Sequence, residues 1–318
     1  MMRVGKRVVV GLILLSWMGC HQDLSSPESA NAVSTRHLRY FGFAVVDCGW
    51  DDPNDSTVKT NYVDEVSRFT NIGQMCVFSP DESLRSRMAR FSQVGMKAIL
   101  HIESILFEHT KDTSSPSGVR VTLRPDAEAL WAHFVKLNRD VLVPDYVVAL
   151  YIVDEPVWNG VPLADFVHAL KIVKASLPVI PTLSIEAYPV VTQIRVPETL
   201  DWIGFDRYDT ADPAKDRAWL ADLETVRAAR TRTDQKIVII ASTQWLPYYQ
   251  TDAGVLPEDM AAVAYSYYHI AVSDPDVIAL VGYLWPGGLD DPRQLGARNL
   301  PENVQQALRE IGRRIINK

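Results

Sequence analysis

Two adjacent carboxyl side chains, Asp154 and Glu155, occupy a position suited to acid–base chemistry. They end an almost uninterrupted apolar run over residues 146–153 and are followed by Pro156. Such a run of β-branched and aromatic residues is typical of a strand covered on both faces, and proline ends its ladder because it has no N–H. Since parallel α/β enzymes place their chemistry at the carboxyl ends of strands, the pair is a candidate catalytic centre. The alternative is an acidic helix N-cap after the strand.

The strands and helices that must position this pair alternate regularly along the chain. We predict eight strands, over residues 40–47, 72–78, 97–102, 147–153, 180–185, 202–205, 236–241 and 278–284. Helical patterns lie between and after them, over residues 83–94, 124–142, 163–176, 214–230, 257–272 and 302–316. Eight strand–helix units predict an α/β fold, a single-domain (β/α)₈ barrel over residues 37–318. A doubly wound sheet is the alternative, but no Gly-x-Gly-x-x-Gly turn or phosphate loop is present.

The residues after the predicted strands are acids, amides and aromatics, which converge at one rim of a barrel. Such a set suits a carbohydrate, because carboxylates can act on a glycosidic bond and aromatic faces pack on sugar rings. The predicted substrate-binding residues are Asp47, Trp50, His101, Glu103, Trp158, Tyr208, Gln244, Trp245 and Trp285. His101 and Glu103 share a strand face, but without a second histidine nearby we expect no metal site. We expect no cofactor.

These residues resemble clan A glycoside hydrolases, the cellulase and β-mannanase type of barrel. That clan ends its fourth strand in Asn-Glu, often followed by proline, where this chain has Asp154-Glu155-Pro156. The resemblance implies that Glu155 is the general acid/base and that Asp154 contacts a sugar 2-hydroxyl. It also implies that Tyr208 contacts the nucleophile after strand six and that Trp285 floors a sugar subsite after strand eight.

The chain departs from this clan after strand seven, where Gln244 stands in the place of the nucleophilic glutamate. An amide cannot form the covalent glycosyl-enzyme intermediate of a retaining mechanism. Another acid could instead activate water in an inverting reaction. The acids available for this role are Asp206, Glu186, Glu103 and Asp47, and the catalytic candidates beside Glu155 are Asp154, Asp206 and Glu186.

Two other functions fit the same residues. Asp154-Glu155 resembles the adjacent pair of hexosaminidases, in which the substrate's own N-acetyl group is the nucleophile, and Tyr208-Asp209 resembles a later strand of chitinases. The second alternative is a barrel that has lost catalysis and kept glycan binding, as the missing strand-seven glutamate would permit.

The N-terminal segment predicts export. Basic residues precede a short apolar run over residues 8–15, and Gly19-Cys20 resembles a bacterial lipobox, which implies a signal peptide over residues 1–20 with lipidation of Cys20. Residues 21–36 read as a flexible tether. The predicted location is a membrane-anchored lipoprotein, with plain secretion as the alternative. In that oxidising setting a disulfide between Cys48 and Cys76 is allowed but not required.

Charge and composition limit the classes of partner that the protein is expected to bind. The net charge of −7 offers no basic footprint for nucleic acid, and 318 residues with 47% apolar content can bury one large core. The expected partner is a carbohydrate, with membrane contact only through the lipid. The oligomeric state is left open.

Overall fold

The computed structural model describes residues 37–317. The predicted signal peptide, the lipidation of Cys20 and the tether over residues 21–36 lie outside the described residues and stay predictions. Within the described part of the chain, no helix combines the length and the apolar character needed to cross a membrane.

Eight parallel strands close into a barrel, which confirms the predicted (β/α)₈ fold. In chain order the barrel strands are β1 (Tyr40–Asp47), β2 (Ile72–Cys76), β3 (Lys97–His101), β6 (Val147–Asp154), β7 (Thr182–Ala187), β8 (Trp202–Asp206), β9 (Lys236–Ser242) and β10 (Val277–Tyr283), while β4 (Phe107–Lys111) and β5 (Val119–Leu123) form a separate sheet. Around the barrel the order is β1, β10, β9, β8, β7, β6, β3 and β2. β6 and β10 therefore lie on opposite sides of the ring.

Helices surround the barrel and bury their apolar faces on it. They are α1 (Val63–Val66), α2 (Arg85–Gln93), α3 (Glu103–Leu106), α4 (Ala127–Asn138), α5 (Leu163–Ser176), α6 (Arg217–Ala228), α7 (Pro247–Gln250), α8 (Met260–Ser273) and α9 (Glu302–Ile316). The helix predicted from residue 124 begins later, because the Arg124 N–H bonds to the Leu106 carbonyl at 2.8 Å and extends the preceding loop. The fifth barrel strand begins at Thr182 rather than residue 180, since Pro181 has no N–H for the ladder.

The core has two parts, as expected for this fold. One fills the barrel itself with inward-facing side chains, including Ile72, Ala149, Tyr151, Ile240 and Val281. The other fills the layer between the barrel and its helices. The interior of the barrel is therefore filled with packed side chains. The open space lies above this packed interior, at the carboxyl ends of the strands.

An antiparallel hairpin, β4–β5, is inserted after the third barrel strand and was not predicted. Four of the five β4 residues are exposed, so the segment has the polar composition of a loop. The hairpin touches the turn after β6, because the Val121 N–H donates to the Asn159 carbonyl at 3.0 Å and the Ser117 N–H donates to the Trp158 carbonyl at 3.3 Å.

A disulfide joins Cys48 and Cys76, which directly follow or end the neighbouring strands β1 and β2. The sulfurs are 2.02 Å apart and the cysteines are separated by 28 positions in the chain. The bond was allowed by the sequence, and in the structure it ties together the carboxyl ends of two barrel strands.

We expect reduction of the disulfide to destabilise the barrel. Opening a loop of this length returns entropy to the unfolded chain and lowers the free energy of unfolding by about 2–4 kcal/mol. Urea denaturation with and without reductant measures the change. The double variant Cys48→Ala/Cys76→Ala is the control, since its midpoint should not respond to reductant. An equal midpoint for the oxidised and reduced wild type would contradict the expectation.

Candidate active site

A cavity of about 730 Å³ opens at the carboxyl ends of the barrel strands. Its lining is rich in carboxyl and aromatic side chains. The acids are Asp154, Glu155, Asp206 and Asp290, and the aromatic residues are Trp50, Tyr151, Trp158, Tyr188, Tyr208, Tyr248, Tyr249 and Tyr283. Among the described residues, the cavity lining contains no lysine or arginine. The cavity is thus rich in hydrogen-bond acceptors and in aromatic faces.

Glu155 and Asp206 are neighbouring carboxyl groups that both line this cavity. Burial raises the pKa of Glu155, and the nearby charges of Asp206, Asp154 and Glu186 raise it further. Burial and the charge of Asp154 also raise the pKa of Asp206. Because neighbouring carboxylates repel each other, the proximity of the two groups favours a protonated carboxyl group in the pair.

The backbone of Glu155 is held in an unusual conformation. Its φ is +40°, in the left-handed region that non-glycine residues rarely adopt, and its N–H donates to the Ile185 carbonyl at 2.9 Å. Backbone strain of this kind costs about 1–3 kcal/mol and persists only where the surroundings enforce it. Such positions cluster at functional sites, so the strain supports a functional role for this residue.

Glu186, a predicted catalytic candidate, does not line the cavity and instead contacts the backbone of the turn after β6. Its carboxylate accepts the Val157 N–H at 2.8 Å and the Trp158 N–H at 3.2 Å, and the residue is 1% exposed. Burial raises the pKa of Glu186 to about 7 against these backbone hydrogen bonds. The side chain therefore fixes the turn that carries Glu155.

Asp154 lines the cavity beside Glu155 and is fixed at both its side chain and its backbone. The Tyr151 hydroxyl donates to the Asp154 carboxyl group, and the Asp154 N–H donates to Glu103 Oε2 at 2.7 Å. Burial, then the charge of Glu103, raises the pKa of Asp154. The pairing register shifts between Tyr151 and Asp154, which lets both side chains reach the cavity although they are three positions apart.

A polar network runs along one wall of the cavity across four barrel strands. Val45 interrupts the β1 ladder with a φ of +59°, and its N–H donates to Gln74 Oε1 at 2.8 Å. Gln74 Nε2 lies 3.3 Å from His101 Nδ1, and His101 Nε2 lies 3.2 Å from Glu103 Oε2. These distances fit a His101 tautomer protonated at Nε2. The network connects β1 to the backbone of Asp154.

Glu103 belongs to this network and does not line the cavity, contrary to its prediction as a substrate-binding residue. It is 6% exposed, and although burial opposes ionisation, hydrogen bonds from His101 and His109 lower its pKa to about 2. Asp47 is also withdrawn from the cavity, because its carboxylate pairs with Arg87 Nε at 2.8 Å. Both acids are occupied by the protein itself.

Trp285, the predicted floor of a sugar subsite, does not line the cavity. This residue is 4% exposed and packs against Phe43, with ring centroids 4.9 Å apart, while its indole N–H donates to Glu65 at 2.6 Å. Tyr283 lines the cavity instead and stacks on Tyr208, with centroids 5.2 Å apart and planes 12° apart. β10 ends at Tyr283, so the two residues that follow leave the barrel face.

The predicted strand-seven positions also lie outside the cavity. Gln244 is fully buried, and Gln294 Nε2 donates to its Oε1 at 3.4 Å. Trp245 donates its indole N–H to the Val255 carbonyl at 3.0 Å. Since Val238 and Ile240 face the barrel interior, alternation makes Ser242 the last inward residue of β9. No carboxyl group of the described chain therefore lines the cavity from the end of this strand.

The remaining predicted residues do meet in the cavity. Asp154, Glu155, Asp206, Trp50, His101, Trp158 and Tyr208 all line it. The Trp50 indole donates to the Gly287 carbonyl at 2.9 Å, and His101 stacks on Tyr151 with centroids 4.4 Å apart. The two rings are thus held in place before any ligand binds.

Sequence reasoning missed several cavity residues, of which Asp290 matters most. The Tyr283 hydroxyl donates to Asp290 Oδ1 at 2.8 Å, and Gln294 Nε2 donates to its Oδ2 at 2.8 Å. Tyr283 had a detectable signal, because Ala279, Val281 and Tyr283 alternate along one strand face. Asp290 lies in a loop several residues beyond its strand and had no such signal.

The described residues contain no group of three or more His, Cys, Asp or Glu side chains arranged to hold a metal ion.

Comparison with known proteins relates the chain to sugar-processing barrels by structure only. No protein-family model matches the sequence, and no curated protein sequence matches it. A glucosidase from Croceicoccus marinus is similar with a TM-score of 0.57 at 13% identity, covering 88% of this chain and 67% of that one. A GH113 β-1,4-mannanase is similar with a TM-score of 0.55 at 11% identity, covering 87% and 99%.

A xylanase, Xyn10A from Cellvibrio japonicus, is also similar, with a TM-score of 0.55 at 11% identity over 90% of this chain and 100% of that one. At these identities the likeness establishes the (β/α)₈ fold. The chemistry has to be argued from the cavity of this chain.

We expect Glu155→Gln to change how stability depends on pH. The raised pKa means that the folded state holds a proton that the unfolded state has lost, so wild-type stability falls as pH rises above the ordinary carboxyl pKa. Glutamine cannot ionise, so the variant lacks this pH-dependent loss of stability. Its side-chain amide can still donate a hydrogen bond to Asp206. Between pH 5 and 7 the variant should gain on wild type by up to about 1.4 kcal/mol per pH unit.

Urea denaturation across that pH range measures the effect. Glu198→Gln is the matched control, because Glu198 is exposed and its curve should run parallel to that of wild type. Parallel curves for Glu155→Gln and wild type would contradict the raised pKa of Glu155.

Proposed function

We propose that this protein is a glycoside hydrolase in which Glu155 is the general acid. The observation that carries the proposal is the position of Glu155 with Asp206 in an aromatic-lined cavity at the carboxyl end of the barrel, where burial raises the pKa of both carboxyl groups. A carboxyl group that stays protonated at neutral pH can give its proton to the oxygen of the leaving sugar. Asp206 keeps the proton on Glu155 by accepting its hydrogen bond.

Asp290 is proposed as the base. Its loop follows β10, directly across the ring from β6, so its carboxylate approaches a bound sugar from the side opposite Glu155. The group is exposed to solvent and held by Tyr283 and Gln294. Asp290 removes a proton from water as the oxygen attacks the anomeric carbon, while Glu155 protonates the departing oxygen. This arrangement yields inversion at the anomeric carbon.

The lining also restricts the substrate. Four acids and the absence of lysine or arginine among the described lining residues disfavour uronic acids and sulfated sugars, because no cation would balance their charge. The tyrosine and tryptophan rings suit the apolar faces of pyranose rings. The proposed substrate is therefore a neutral or amino-sugar poly- or oligosaccharide.

The substrate-assisted reaction is the second candidate, and one observation favours it. Asp154 lines the cavity directly beside Glu155, where it could orient an acetamido group, and β9 supplies no carboxylate nucleophile to the cavity. This mechanism gives retention and requires an N-acetyl group on the substrate. A glycan-binding barrel without turnover is the remaining alternative.

We propose that the protein is exported, with a lipid on Cys20. The basic and apolar start of the chain supports this, and so does the Cys48–Cys76 disulfide, because disulfides persist mainly in oxidising compartments. Radiolabelled palmitate incorporated by wild type and lost in Cys20→Ala supports the anchor. Equal labelling of both forms, or of neither, argues against it.

We expect hydrolysis of neutral or amino-sugar glycans and none of polygalacturonate or alginate. Glu155→Gln and Asp290→Asn should each lower kcat/KM by at least roughly 10³-fold, since each removes a group that transfers a proton in the transition state. Reducing-sugar release over a panel of mannan, xylan, β-glucan, chitin and chitosan measures activity. Glu198→Gln and Asp252→Asn, both exposed, are the matched controls.

The first anomer formed, followed by proton NMR, separates the candidates. Inversion supports Asp290 as the base, whereas retention confined to N-acetylated substrates supports the substrate-assisted reaction. Full activity in Glu155→Gln overturns the catalytic role of Glu155, and binding without turnover in wild type favours the glycan-binding alternative.

A further inference from the structure

The hairpin β4–β5 is hydrogen-bonded to the segment that carries Glu155. Besides its two backbone hydrogen bonds to the carbonyls of Trp158 and Asn159, it is connected through Asn159, whose side-chain amide donates to the Asp154 carbonyl at 3.0 Å. The turn over residues 154–160 is therefore held by Glu186 on one side and by the hairpin on the other. Movement of the hairpin would release one of these restraints.

One side chain of the hairpin also reaches the network below the cavity. His109 Nε2 lies 2.6 Å from Glu103 Oε1, and the other oxygen of the same carboxylate accepts the Asp154 N–H at 2.7 Å. A single buried carboxylate thus joins the hairpin to the backbone next to Glu155. The His109 side chain is 55% exposed, so its proton exchanges freely with solvent.

The charges that face His109 favour its protonated form. Glu103 is in direct contact, Asp154 contributes a second negative charge, and His101 shares the Glu103 carboxylate from β3. On the hairpin, the partner across the ladder is uncharged Val121, Arg120 is paired with Asp112 at 2.6 Å, and neighbouring Glu108 and Lys111 are exposed. The hydrogen bond from Glu103 raises the pKa of His109, although burial opposes the shift.

We propose that His109 is a positioning residue whose protonated imidazolium docks the hairpin and thereby holds the Asp154–Gly160 turn in its active geometry. The inference rests on the proposed function, since it concerns regulation of the same site. Because the folded pKa is raised, the ion pair contributes stability fully below the ordinary histidine pKa and loses it as pH rises through the folded pKa. Activity then declines on the alkaline side as the hairpin loosens.

The direct test needs no substrate. A pH titration of the histidine ring chemical shifts, followed by NMR, should give His109 a pKa above the ordinary histidine value. His133, a histidine of nearly equal exposure paired with Asp81 on the surface, is the site of the control variant. In Glu103→Gln the His109 pKa should fall to the ordinary value. Backbone hydrogen exchange of residues 154–160 should be faster in His109→Gln than in wild type, and unchanged in His133→Gln.

The kinetic test follows on whichever glycan is hydrolysed. His109→Gln should lower kcat by roughly 10- to 100-fold with a smaller change in KM, because a misplaced acid loses rate more than binding. It should also remove the alkaline decline of kcat that wild type and His133→Gln share. Absence of hydrolysis in wild type would overturn the proposed function. The NMR titration and the hydrogen-exchange results would then still test whether His109 docks the hairpin. Equal exchange over residues 154–160 in His109→Gln and His133→Gln overturns the inference.

Discussion

The repulsion between neighbouring buried carboxyl groups governs this structure. Glu155, Asp206 and Asp154 converge above the packed interior of the barrel, and their mutual repulsion and burial raise the pKa of each. Hydrogen bonds from Tyr151 to Asp154 and from Tyr208 to Asp206 help to hold the acids together. In the proposed function, the same repulsion favours the protonated carboxyl group that acid catalysis requires.

The rest of the rim holds that arrangement still. Glu103 and Glu186 look like further members of the acid cluster, yet each accepts backbone N–H groups of the turn and neither lines the cavity. Their carboxylates act as structural anchors from two directions. The acids at this end of the barrel therefore divide into a layer that meets the ligand and a layer that fixes the backbone beneath it.

The barrel could be predicted from the sequence because each buried strand is a short apolar run and eight such runs alternate with amphipathic helices. Glu155 and Asp206 line the cavity as predicted, because one directly follows its strand and the other ends it. Tyr208, Gln244 and Trp285 each lie two residues beyond their strands, where the strand no longer fixes the direction of the side chain, and of these three only Tyr208 lines the cavity. The chain after β10 has turned away from the barrel, and the Trp285 N–H bonds to the Ala44 carbonyl at 3.3 Å. The β4–β5 hairpin could not be predicted, since its stability comes from contacts with the turn rather than from a buried face.

The left-handed backbone of Glu155 has a consequence for how this site could change over generations. Glycine adopts that φ without strain and asparagine does so more readily than glutamate, and neither would add a charge to the cluster. If Glu155 has the proposed catalytic role, both the backbone and the electrostatics would favour its replacement once that role was no longer needed. A variant that kept the barrel and the aromatic lining but carried glycine or asparagine here would then exchange the proposed turnover for a more stable folded state.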